Sequence, residues 1–218
     1  MTELNRRSYL QATGVAAAGM VGLAGCSETA SATGTLATQV TDQPGDIADF
    51  ESCVVTIQGI WVKPGEGGDG TETTNTVTES TAGTSTDVVE QEEGDVDESD
   101  DREYHEFDEA QEADLVELQN GNTELIDERE LEAGRYEFLQ LDVTDVSGVL
   151  DGGEEADVDT PGGAPLQFKH PFEIREDQVT TFTGDFTPVK RGQTGRYLLQ
   201  PVAQGTSVEY SDETEDGS

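Results

Sequence analysis

Cysteine, histidine, lysine and tryptophan are all scarce in this 218-residue chain, and each scarcity excludes something. Two cysteines, Cys26 and Cys53, cannot build a disulfide framework or a cysteine metal cluster. Two histidines, His105 and His170, lie far apart in sequence, and no Gly-x-Ser-x-Gly elbow accompanies them, so a hydrolase triad has no foothold. Both read as ordinary surface or half-buried residues. Lysine is limited to Lys63, Lys169 and Lys190, and 11 basic side chains face 48 acidic ones for a net charge of -37. Phosphate binding needs a cationic footprint, so nucleic acid is excluded as a partner. No apolar run reaches the roughly 18 residues of a membrane helix, which excludes a polytopic membrane protein. Asn75, Asn120 and Asn122 all lack the Ser or Thr of an N-glycosylation acceptor.

What is abundant is carboxylate. With hydrophobic residues at 33%, the chain holds enough apolar side chains for one modest core but would repel itself in dilute buffer. Spread-out acids with little lysine fit a halophilic protein in molar salt, where the Debye length falls to about 3 Å. The acids are not evenly meaningful. Residues 64–103 carry fourteen of them against Arg102 alone, with a Thr/Ser/Gly run from Gly67 to Thr86. That composition predicts a long disordered acidic insert, its threonines either a stalk for O-linked sugars or an undecorated loop.

The amino terminus reads as an address. Arg6-Arg7 precede Tyr9-Leu10, a weakly apolar Ala/Gly run follows, and Leu23-Ala24-Gly25-Cys26 ends it. This order resembles a twin-arginine export signal over residues 1–25 joined to a lipobox. The implied mature protein begins at lipidated Cys26 and stays on the outer face of the cell membrane. Residues 26–32 then form a tether. Cys53, left without a partner in the strand-like run Ser52–Ile57, is expected to be a small buried apolar residue.

From 33 to 210 the pattern is that of one all-β domain, with 211–218 an acidic tail. Short runs rich in β-branched and aromatic residues recur between Gly, Pro and Asn turns, with a bulge expected near Gly59 and a hairpin at Asn120-Gly121. One helical turn is expected within 128–133. Seven to nine strands and almost no helical period predict an antiparallel β-sandwich of prealbumin or immunoglobulin type.

Candidate chemistry is thin. Asp95, Asp97, Ser99, Asp101 and Glu106 match the spacing of an EF-hand calcium loop, but its glycine position holds Asp100 and no helices flank it. The spacing arises easily by chance in so acidic a stretch, so no metal or cofactor is assigned. Lys190, Arg191 and Arg196 form the one cationic island, able to grip an anion or an acidic glycan but better explained by local ion pairs. Trp61, Tyr104, Tyr197 and Tyr210 are the aromatics to examine for ligand contact.

Several segments in order carry a family resemblance: Thr41-Asp42-Gln43-Pro44, Val55 to Val62, Asp114 to Leu118 with Gly121, Leu131 to Tyr136, and Gly195 to Val202. Together they resemble the lipoprotein family known as domain of unknown function 4382, from about Gly34 to Val208 apart from the acidic insert. Ala133-Gly134-Arg135-Tyr136 also resembles a prealbumin-like motif whose tyrosine packs inward. The family brings no catalytic residues. The chain is therefore expected to be a lipid-anchored, non-catalytic binding or envelope module whose ligand is a glycan or another surface protein. A structural surface-layer spacer and an unrecognised metal-dependent enzyme are the alternatives. Replacing the expected acylation site, Cys26→Ser, should release the protein into the medium. Membrane fractionation checks this, and a variant still retained in the membrane would refute the lipid anchor.

Overall fold

The computed structural model describes residues 31–42, 45–65, 88 and 90–212. The expected leader (Arg6, Arg7), the lipidation site Cys26, most of the Thr-rich run and most of the tail lie outside the described residues.

The protein is all-β, and no α-helix occurs among the described residues. Eleven strands follow in chain order: β1 (Thr33–Thr41), β2 (Phe50–Pro64), β3 (Glu103–Asp114), β4 (Glu124–Glu132), β5 (Gly134–Leu150), β6 (Glu155–Asp159), β7 (Leu166–Phe168), β8 (Phe172–Ile174), β9 (Gln178–Lys190), β10 (Arg196–Pro201) and β11 (Ser207–Asp212). Hydrogen-bonded neighbours run β3-β2-β5-β6-β10-β9-β1-β4, with β7 and β8 on β5 and β11 on β9. The two ends lie side by side: the Arg129 guanidinium of β4 sits 5.4 Å over the Phe107 ring of β3. The result is one nearly closed, barrel-like sheet instead of the two separate layers expected. Nor is it purely antiparallel. β1 pairs with β9, and β6 with β10, in parallel.

The core follows from strand alternation. Val55 and Ile57 of β2 point inward, then the register slips between Ile57 and Gly59 against both neighbouring strands. That bulge, expected from Gly59, turns Ile60 and Val62 inward and leaves Trp61 on the outer face. A Cβ on Gly59 would come within 2.6 Å of the His105 carbonyl, so the strands approach closely there. Cys53 is fully buried, and burial first, then the Asp114 and Asp42 charges, pushes its thiol up to about 12. Tyr136 packs inward against Phe172, as its motif implied. Phe168, Phe172 and Phe186 surround Phe182 and its neighbours in edge-on and tilted contacts.

Three local expectations fail. Residues 128–132 belong to β4 rather than to a helical turn, because the chain pairs along the β1 edge and buries Leu131 and, at the register slip, Ile126. Asn120 and Gly121 do adopt the positive φ of a tight turn, 65° and 82°, yet the strands on either side pair with β2 and β1, not with each other. Third, the acidic segment is ordered from residue 90 onward. Val96 and Gln91 are buried in it.

Four glutamines explain this order. The Gln91 amide N–H donates to Gln200 Oε1 at 2.7 Å, and its side chain donates to the Pro165 carbonyl and accepts from the Gln167 amide. Gln167 Oε1 accepts from the Asp97 amide and from Gln140 Nε2, while Gln140 Oε1 accepts from Arg102. Buried amides are paired here, so the segment 91–97, with its 3-10 turn at Glu93–Asp95, is pinned across β5, β7 and β10. Gln167→Leu should cost about 1–3 kcal/mol by orphaning the Asp97 amide and the Gln140 side chain. Denaturant melting with amide exchange checks it: protection lost over 91–97 is expected, and an unchanged exchange pattern would contradict it.

Candidate functional site

An open groove of about 880 Å³ is lined by β5, β6, β10 and the turns at Gly162 and Arg191. It exists because of how β5 shares one edge among short partners. Leu139–Leu141 pair with β7, and Gly148 and Val149 pair with β6. Between them, Asp142–Ser147 pair only with β2 on the opposite side. The backbone groups turned away from β2 over this stretch have no partner strand among the described residues. Val143 and Val146, opposite the inward Ile57 and Val55, pack with Ala156 against the core and line the groove from that side, and Leu198 lines it from β10. Gly162 and Gly163, both at positive φ, close one end without side chains.

The cationic island reaches the rim of this groove through two of its three members. Arg196 bridges two carboxylates of β6, with Nε 2.8 Å from Asp157 and an Nη 2.9 Å from Asp159. Arg191 lines the groove, is exposed, and makes no ion pair among the described residues. Its backbone is set by the turn before β10, where the Arg191 amide donates to the Arg196 carbonyl at 2.8 Å. Lys190 points elsewhere, 3.2 Å from Asp49, and the Tyr197 hydroxyl donates to the same Asp49 at 2.8 Å. Those two hydrogen bonds, Tyr197 first, hold the Asp49 carboxyl below the usual range.

The aromatic candidates do not converge on a ligand surface. Tyr197 is 1% exposed and packs edge-on against Phe50 in the core, so it is corrected from ligand contact to core residue. Trp61 is stacked between the Arg102 guanidinium, 4.4 Å away, and the Tyr104 ring at 4.5 Å. Tyr104 is partly exposed, but its hydroxyl donates to Asp142 at 2.7 Å, and partial burial and then that carboxylate raise its pKa. Tyr210 lies under Arg175 at 3.7 Å. None of these rings lines the groove.

The histidines stay apart from any acid–base assembly. His105 is half-buried 3.9 Å from Glu103, and burial first, then Arg129, lowers its pKa. His170 is lowered by burial and packs near Phe182. The calcium-like spacing has a different occupant. Lys63 Nζ lies 3.0 Å from Asp97, 3.3 Å from Asp101 and 3.7 Å from Glu137, and it donates to Ser99 at 3.4 Å. An ammonium on β2 thus holds three of the five side chains in that spacing, Asp97, Ser99 and Asp101. Ser99 first, then Lys63, pull the Asp97 carboxyl down to about 2. The sequence reading missed Lys63 because it lies on β2, remote in sequence from the loop it fills.

The chain belongs to the family designated domain of unknown function DUF4382, whose model matches residues 33–201. No curated protein and no solved structure matches it.

The Asp97 arrangement gives a signed pH effect. A carboxyl depressed in the folded state contributes stability that is present above about pH 4 and lost as pH falls toward 2. Lys63→Met should therefore lower stability at pH 7 and shrink its loss between pH 4 and 2. Acid titration followed by circular dichroism reads this, and an acid limb identical to the parent would contradict it.

Proposed function

We propose that this protein is a non-catalytic binding module, held on the outer face of the membrane by a lipid on Cys26, that receives an extended segment of a neighbouring surface protein by strand addition. The observation that carries the reading is the edge of β5 from Asp142 to Ser147, which lies along the groove and has no partner strand among the described residues. An exposed edge is a template for a further strand, whose main-chain hydrogen bonds supply affinity while side-chain contacts supply register. Val143 and Val146, on the core side of β5, offer apolar contact to the guest side chains that face the same way, and Arg191 suits a carboxylate on it.

The placement of the aromatic rings favours a protein partner over a glycan. Sugar rings are gripped by exposed aromatic faces, and the groove has none.

The test is amide hydrogen exchange on the full chain in molar salt, alone and with partner recovered by crosslinking from a photoreactive residue at Thr144. Added partner should slow exchange over 142–147, and Arg191→Glu should weaken the effect. A partner that binds while 142–147 exchange as before, or recovery of a glycan, would overturn the proposal.

A further inference from the structure

A second feature lies away from the groove, where the chain leaves β1. Asp42 is 1% exposed, and neither of its carboxyl oxygens has a hydrogen-bond partner among the described residues. Asp185, fully buried on β9, stands opposite Thr41 in the parallel β1–β9 ladder, and its charge acts on Asp42. Thr187 follows two residues later on the same face of β9, also fully buried. Its hydroxyl faces Asp42 but forms no hydrogen bond of standard geometry among the described residues. The walls are close: a Cβ on Gly45 would come within 2.7 Å of Thr187 Oγ1, and one on Gly205 would overlap Asp185 Oδ2.

Three oxygen-bearing side chains thus meet in a place closed to solvent. A buried carboxylate with no partner is costly, and a second acid beside it adds repulsion. No lysine or arginine pairs with Asp42 among the described residues. The orphaned Thr187 hydroxyl separates this place from the exposed acidic runs, where water satisfies every oxygen. A hydroxyl and carboxylates aimed at one point, with no nitrogen or sulfur ligand, select a hard cation.

We propose that Asp42, Asp185 and Thr187 form a buried cation site for which calcium is the fitting ion. Backbone carbonyls of the surrounding turns can supply further oxygens. Binding of calcium there would tie the end of β1 to β9, its parallel neighbour in the sheet, at Asp185 and Thr187.

The experiment uses the full chain, stripped with a chelator and held in molar potassium chloride, with calcium chloride as the added probe. Equilibrium dialysis with radioactive calcium should reveal one saturable site per chain. Saturation about a hundredfold above Kd should raise Tm by about 5–10 °C. Asp42→Asn should abolish the site, Thr187→Val should weaken it, and the exposed control Asp108→Asn should leave it intact. A saturable site that survives Asp42→Asn, or no saturable site at all, would overturn the proposal. So would a Tm indifferent to calcium that falls as pH rises toward 8 in the parent but not in Asp42→Asn. That result would mean the Asp42 carboxyl, which burial pushes up to about 8, is neutralised by a proton instead.

Discussion

The ladder between β2 and β5 is the constraint on which the rest of the structure depends. β5 is seventeen residues long and pairs with β2 from Tyr136 to Leu150. A strand of that length cannot find one partner of equal length on its other edge in so small a domain. Three short strands take turns there instead, β8 at Tyr136, β7 at Leu141 and β6 at Gly148. Because each is bounded by a turn with glycine or proline, their ends do not meet, and a seam is left between β7 and β6. β9 solves the same problem on the opposite side, pairing with β1 and β11 through its first half and with β10 through its second. Two long strands that each serve two sets of neighbours convert what would be separate layers into one nearly closed sheet.

How much of this was legible in the sequence depends on whether the information is local. Alternation along β2, the Gly59 bulge, the inward Tyr136 and the buried Cys53 all follow from residues within a few positions of one another, and they were readable. Partner choice is not local. Alternation says that Thr35, Thr38 and Val40 belong to a strand, but nothing in it says that β9 will run beside them in parallel. The Asn120-Gly121 turn shows the same limit, since its backbone forms as expected while its flanking strands go to different neighbours. The acidic segment was misjudged from residue 90 onward for a related reason. Its composition resembles a solvated chain, yet its anchors are Gln91 and the Asp97 amide, whose partners Gln140, Gln167 and Gln200 lie far along the sequence. Nothing within the segment itself announces those contacts.

The candidate site was legible only in part. Lys190, Arg191 and Arg196 were recognisable as an island, but ion pairing divides them. In a chain with so few cations, almost every well-placed one is shared. Lys63 serves three acids, Arg196 serves two, and Arg129 is paired with Asp127 while covering Phe107. Arg191 lines the groove from the turn before β10 and makes no ion pair among the described residues.

That difference bears on how such a surface can recognise anything in concentrated salt. Interactions between exposed charges decay over about 3 Å at molar ionic strength, so a binding mode built on charge alone would lose most of its strength there. Main-chain hydrogen bonds to an open strand edge, together with burial of alternate apolar side chains, are not screened in this way, and salts that strengthen apolar burial reinforce them. On the proposed reading, an open strand edge beside Val143 and Val146 would supply affinity that survives brine, and Arg191 at its mouth would need only to choose register at contact distance, where screening acts least. That mode suits the acidic composition: where long-range charge is screened, backbone geometry can still carry recognition.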